Sequence, residues 1–354
     1  MALRPRLPWR RLGLGAATAG LAALAACGRV PQTALHPAGP VAALELHLMA
    51  ESLWIMVGVF IVVLGLLGYA LVRFRERPGD THVPKQVEGN LRLELLWTVV
   101  PFILLIIIAI PTFRDNFALA ADQTGSNVLD VTVVGHQWWW EFDYPSLGIV
   151  TADEMHIPVG TRVELTLESA DVLHSFWVPA LAGKEDTVPG HPNTMWFEAT
   201  QPGTFPGQCA EFCGTSHSDM RLLVIAQSQA QFQQWVQGFQ QPDSTPQTPQ
   251  AQQGAQLFQT YCATCHVIDG AAWQTTPLTK SQTGPTGFPI APNLTDLSAH
   301  QTLAAATLAN TTSDLTEWID NAQALMPGVI MPTFQGVLTQ AQEQDVADYL
   351  EGLT

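Results

Sequence analysis

Residues 209–220 read CAEFCGTSHSDM. Cys209 and Cys213 stand four apart, His217 follows four later, and Met220 comes three after that. A disulfide between the two cysteines would leave the imidazole and the thioether without a role. Zinc takes thiolates and imidazoles but does not seek a thioether. Sulfur from both Cys and Met, together with imidazole, points to copper. A blue-copper site has one thiolate, so two thiolates suggest two coppers bridged by both sulfurs. Such a rigid core shares one electron over two metals and changes little on reduction, which favours fast electron transfer. A further histidine is needed, and His174 in VLHSFWVP (172–179), at the end of a predicted strand, is the candidate.

A second cluster reads Cys262-Ala-Thr-Cys265-His266. This is the C-x-x-C-H pattern of covalent haem c attachment, in which both thiols form thioethers and the histidine becomes the proximal iron ligand. A thiol redox protein with the same motif would show a βαβ context, whereas here the motif ends a short helix in a helical segment. The sixth ligand should lie downstream, at Met326-Pro327 or Met331-Pro332. A thioether there raises the iron potential relative to a second histidine. His300 reads as a surface histidine.

The elements around these residues fall into three kinds. Leu53 to Val72 and Leu95 to Phe113 carry no charge, and each is long enough to cross a bilayer. Arg73, Arg75, Arg77, Lys85 and Arg92 lie between them, which puts that loop in the cytoplasm and everything after residue 114 outside. From Asn127 the hydrophobic period becomes two. RVELTLE (162–168) alternates as a half-buried strand does, and similar strands are expected at 128–134, 138–143, 194–199 and 221–226. Many short strands over this length suggest a β-sandwich or Greek-key barrel. The Gln- and Pro-rich stretch at 227–250 reads as a linker whose first part could finish a helix, and the last hundred residues as helical.

Charge is unevenly distributed. From Asp115 onward there are 25 acidic residues against Arg162, Lys184, Arg221 and Lys280. That half repels nucleic acid and suits a basic protein partner. At the N-terminus, Arg4, Arg6, Arg10 and Arg11 precede a small, apolar stretch ending LAAC at Cys27. This resembles a bacterial lipobox, implying a lipid anchor on Cys27.

The stretch C-A-E-F-C-G-x-x-H-x-x-M with an upstream histidine resembles the dinuclear CuA centre of cytochrome c oxidase subunit II. The likeness covers roughly residues 45–226, including the membrane hairpin. It implies that Cys209 and Cys213 bridge two coppers, that His174 and Met220 complete one, and that His217 with the Glu211 backbone carbonyl completes the other. It also implies that the Glu211 carboxylate helps bind a magnesium shared with subunit I. GHQWWW (135–140) resembles the family's aromatic segment, which makes Trp138 the electron-entry residue; Trp139 and Trp140 read as packing. Glu94 in ELLWT (94–98) matches E-x-x-W-T, where the family carboxylate stands at the mouth of a proton channel. KEDTVPGH (184–191) resembles K-T-D-x-x-P-G-R, with His191 in place of the arginine. MPTF (331–334) resembles the M-P-x-F loop of class I cytochromes c, which favours Met331 over Met326 as iron ligand.

The expectation is therefore a multi-domain membrane protein with an arrangement similar to caa-type haem-copper oxidases. A signal peptide (1–26) and an outer segment (27–44) precede a two-helix transmembrane hairpin (45–114). An all-β cupredoxin-like Greek-key domain (115–226), a linker (227–250) and an all-α cytochrome c domain (251–354) follow. The implied role is electron input from cytochrome c, through haem c and CuA, to a haem in subunit I that reduces oxygen and pumps protons. Expected partners are subunit I, other oxidase subunits, a soluble donor and the bacterial inner membrane, with no nucleic acid. Two other roles fit parts of the pattern: the CuA subunit of a nitric oxide reductase, and a copper-delivery lipoprotein. Glu94 and Glu211 favour the oxygen reductase. Delivery proteins lack the distal methionine, the hairpin and the haem.

Overall fold

The computed structural model describes residues 32–75, 79, 85–120, 128–269, 271 and 287–353. The signal segment, Cys27 and Arg77 lie outside the described residues.

Two long helices open the described chain, α1 (Pro40–Arg73) and α2 (Leu91–Ala120). Their most apolar windows have a mean hydropathy of 2.7 and bury nothing within the protein, as helix sides meeting lipid require. Both run beyond the apolar spans expected from sequence, because their outer ends dock on the β-domain. Val41 and Ala42 in the first turns of α1 are buried, and Ala42 N–H donates to Leu181 O at 3.2 Å. Glu45 Oε1 accepts from Gly183 N–H at 2.9 Å, and Trp196 Nε1–H donates to the Leu119 carbonyl near the end of α2 at 2.9 Å.

The β-domain packs two five-stranded sheets face to face. One has the order β3-β2-β1-β5-β8, from β1 (Val128–His136), β2 (Trp139–Tyr144), β3 (Ile149–Ala152), β5 (Arg162–Ser169) and β8 (Asn193–Phe197). The other has the order β4-β10-β9-β6-β7, from β4 (Glu154–Pro158), β6 (His174–Trp177), β7 (Lys184–Thr187), β9 (Gly203–Cys209) and β10 (Arg221–Gln227). The alternation in β5 buries Val163, Leu165 and Leu167 completely or nearly so, in one core with Trp140 and Phe142 of β2 and Phe176 of β6 in the other sheet. This is a cupredoxin-like sandwich. His174 begins β6 rather than ending a strand, which sets its ring at the edge of the sandwich beside Cys209: the register pairs Phe176 with Cys209.

The first part of the stretch at 227–250 is helical, as its sequence allows, and 242–247 has no regular structure. Gln229–Gln240 is a helix, α3, opened by a capping box between Ser228 and Gln231. Phe232, Trp235, Val236 and Phe239 follow the i, i+3, i+4, i+7 spacing and are buried in the β-domain's core. Their burial contributes roughly 1.5–3 kcal/mol each, which overrides the glutamines between them.

The C-terminal region packs α4 (Pro249–Tyr261), α5 (Thr312–Leu325) and α6 (Gln340–Glu351) around Phe258, Ile319 and Leu350. α4 crosses α6 at Gly254, where any side chain would collide with the Asp345 carbonyl. The rings of Phe258 and Tyr349 meet edge to face at 5.9 Å. One short ladder interrupts this helical region, β11 (Thr302–Leu303) with β12 (Leu308–Ala309). Ala304, Ala305 and Ala306 between them all have positive φ, near 52–56°.

Candidate metal centres

The first site is built on the end of β9, the start of β6 and the loop into β10. Cys209 Sγ and Cys213 Sγ stand 3.8 Å apart, and both residues are buried. His174 Nδ1 lies 3.9 Å from Cys209 Sγ, and His217 Nδ1 lies 3.5 Å from Cys213 Sγ. Met220 Sδ is 3.8 Å from Cys213 Sγ, and the Glu211 carbonyl is 3.2 Å from Cys209 Sγ. All six donors expected from sequence therefore converge on one pair of sulfurs. Two thiols, two imidazoles, a thioether and a carbonyl form a donor set that fits copper.

The electrostatics of the sulfur pair favour a cation. The hydrogen bond from Cys213 is the main cause that pulls the Cys209 thiol far below its ordinary range, and the same bond pushes Cys213 up. The first proton leaves easily and the second is held, so a cation between the sulfurs is what allows both to be thiolates.

A supporting layer was not legible in the sequence. His174 Nε2–H donates to Asp171 Oδ1 at 2.8 Å, which leaves Nδ1 free for metal. Asp171 Oδ2 accepts from the Gln137 amide at 2.7 Å. Gln137 Nε2–H and Trp138 Nε1–H both donate to the Cys213 carbonyl, at 2.6 and 3.3 Å. Gly135 leaves room for His174, since a Cβ there would come within 2.8 Å of its ring. Gly135 and Gln137 both fall within the aromatic segment GHQWWW, next to Trp138.

The second site is a largely apolar cavity in the C-terminal region. Cys262, Cys265 and His266 stand on one wall, while Met326 and Met331 line it elsewhere. His266 Nδ1–H donates to the Pro292 carbonyl at 2.9 Å, which fixes the orientation of the ring. Burial lowers the His266 pKa, so the ring stays neutral as a ligand must. Burial likewise pushes the Cys262 thiol up to about 12. The residues fit a covalent haem: two thiols and an imidazole on one side, thioethers available, apolar walls between. Met331 packs against the C-terminal core, whereas Met326 is buried in the cluster that belongs to the β-domain.

The remaining expected residues fall as follows. Trp138 is 7% exposed, and its indole forms part of the haem cavity's wall while bonding to the copper loop. Glu94 is exposed in the first turn of α2, where its Oε1 accepts from Asn90 N–H at 3.1 Å. The Glu211 carboxylate is partly exposed, with Lys184 Nζ at 3.9 Å. His191 is exposed in a turn and bridges to Val188. His300 is not a free surface residue as expected: its ring meets Thr151 Oγ1 of the β-domain at 3.3 Å and lines the cavity.

Family models match three parts of the chain. "Cytochrome C oxidase subunit II, transmembrane domain" matches residues 32–114, "Cytochrome C oxidase subunit II, periplasmic domain" matches 147–227, and "Cytochrome c" matches 251–354. Cytochrome c oxidase subunit 2 of Alkalihalophilus pseudofirmus is 39% identical over 326 residues, covering 91% of this chain and 90% of that one. The protein of the same name from Bacillus sp. (strain PS3) is 37% identical over 359 residues, covering 98% and 97%. The crystal structure of the periplasmic domain of subunit II of cytochrome oxidase from Bradyrhizobium japonicum is 30% identical, covering 33% of this chain and 97% of that one, with a TM-score of 0.32.

Proposed function

The chain belongs to the cytochrome c oxidase subunit II family, and from that premise we propose how its own residues serve electron input to the oxidase. Cys209, Cys213, His174, Met220, His217 and the Glu211 carbonyl would together hold a dinuclear copper centre. Cys262 and Cys265 would attach haem c, with His266 and Met331 as the side chains that would hold its iron. When bound, these groups supply the one-electron carriers between an external donor and the haem of subunit I, where oxygen is reduced.

The chain's own residues do the positioning. Asp171 orients His174, and Pro292 orients His266. Gln137 and Trp138 tie the Cys213 backbone to the end of β1, so the copper loop cannot drift. Burial of both cysteines and Met220 excludes water and keeps reorganisation small. The observation that carries this reading is the convergence of all six donor atoms on one sulfur pair. The same burial disfavours copper delivery, because a delivery site must release its metal to a partner.

Finer roles belong to the same proposal. The outer domains lie on the extracytoplasmic side of the bacterial inner membrane, opposite the cationic loop. The donor is cytochrome c or a similar basic protein drawn to the acidic outer half. The Glu211 carboxylate shares a magnesium with subunit I, and Glu94 stands at the entrance of a proton path, while also capping its own helix. Metal analysis and low-temperature EPR of the purified oxidase test the central assignment. A copper pair with a multiline mixed-valence signal, plus c-type haem absorption, is expected. A single, readily exchanged copper would contradict it.

A further inference from the structure

The cytochrome domain is joined to the copper domain by a short exposed stretch after α3, yet it does not hang free. Glu154, at the start of β4, is fully buried at the seam between the two domains. Its Oε1 accepts from Gln301 N–H at 2.9 Å, from Thr302 N–H at 2.8 Å and from Thr302 Oγ1–H at 2.6 Å, while Oε2 lies 3.1 Å from Gln301 N. One carboxyl of the copper domain thus caps the start of the β11–β12 turn in the cytochrome domain.

The far side of that turn is gripped as well. Ala305 is 2% exposed, its carbonyl accepts from Arg221 N–H at 3.2 Å, and its own N–H donates to the Asp153 carboxyl. Three successive alanines with positive φ form a costly backbone for residues that carry a Cβ, and such conformations persist where the surroundings over-determine them. Here the surroundings are the copper domain. Further bonds cross the seam: Trp235 Nε1–H to Asp296 Oδ2 at 2.9 Å, Ser216 Oγ–H to the Pro327 carbonyl at 2.6 Å, and the contact of His300 Nε2 with Thr151 Oγ1 at 3.3 Å. The result covers Trp138 with Gly328 of the cytochrome domain.

We propose that Glu154 is a positioning residue that locks the cytochrome domain onto the copper domain, so that Trp138 is an internal contact and external donors deliver to the haem domain alone. This rests on the reading of the two metal sites above. It replaces a loosely tethered donor, which would act through effective concentration, with one held in a fixed pose.

The test uses the assembled oxidase in detergent. Haem c is reduced rapidly, and the rate at which the copper centre gains the electron is followed as a function of solvent viscosity. The wild-type rate should be independent of viscosity. Glu154→Ala leaves buried N–H groups unpaired and should slow transfer by about tenfold or more while making it viscosity-dependent. Glu154→Gln, which keeps an acceptor oxygen, should recover most of the rate. Haem absorption and the copper EPR signal should match wild type in both variants; if Glu154→Ala does not assemble, Thr302→Val, which removes one seam hydrogen bond, is measured instead. A viscosity-dependent wild-type rate, or a wild-type rate in Glu154→Ala or its substitute, would overturn the lock. Absence of the copper or haem signal from the wild-type protein would instead overturn the metal assignments.

Discussion

Gly328 of the cytochrome domain lies flat against the indole of Trp138 in the copper domain: a Cβ at Gly328 would stand 2.7 Å from Cη2 and 2.9 Å from Cζ3. At the adjacent ring atom Trp138 meets Gly214, in the copper loop, just as closely, for a Cβ there would be 2.9 Å from Cζ2. Two glycines from two domains therefore meet one aromatic ring. Gly328 also has φ near +93°, which disfavours any other residue.

Gly328→Ala should separate the domains at this contact. The expected result is a loss of about 1–3 kcal/mol in stability of the seam, with slower haem-to-copper transfer and unchanged spectra of each centre. Thermal unfolding and the transfer rate, compared with wild type, check both parts.

The alanine turn makes the opposite prediction. Ala306 holds φ near 56°, and Gly adopts that conformation without the Cβ penalty. Ala306→Gly should raise stability by about 1 kcal/mol, read as a higher midpoint in denaturant unfolding. A decrease would show that the turn is not strained.

A pH effect follows from His156. Its ring stacks on Trp235 at 4.5 Å with the planes 7° apart, and Nδ1 lies 3.3 Å from Gln227 Oε1. Burial lowers its pKa from 6.5 to about 4. The folded state therefore prefers the neutral ring, so the contribution to stability is fully present above pH 6.5 and is lost as pH falls toward 4. Over that window His156 accounts for about 3 kcal/mol. Asp296 works against it, since burial raises its pKa to about 6 and its contribution is lost as pH rises. The difference between wild type and His156→Gln isolates the histidine. Unfolding across pH 4–7 should show a shallower loss of stability on acidification in the variant, and identical slopes would refute the assignment.

The chemistry was legible in the sequence because its residues are close in the chain. CAEFCGTSHSDM and CATCH each keep most of their candidate ligands in one short stretch, with His174 and Met331 the distant ones, and the apolar spans of α1 and α2 announce themselves by composition. The elements that sequence missed are those whose reason lies elsewhere in the fold. The start of the Gln-rich stretch allows a helix, but nothing there shows that the apolar stripe of α3 buries in the β-domain's core. Glu154 is separated from Thr302 by 148 positions and begins the strand EMHIP, with no local pattern to mark it. His300 looked like a surface residue because only the docked copper domain covers it. Asp171, which orients His174, is three residues upstream of it and carried no signal beyond its charge.

The most direct test of the account is oxygen uptake by the assembled oxidase in which Cys213 is changed to Ser, driven by reduced cytochrome c. On the proposed assignment Cys213 is one of the two thiolates that would hold the copper pair, while Cys262 and Cys265, which would attach the haem, are unchanged. The account predicts that haem c is still reduced by the donor at a normal rate, that the mixed-valence copper signal disappears, and that oxygen uptake falls to background. Oxygen consumption at the wild-type rate, with electrons passing a chain that lacks this sulfur, would contradict it.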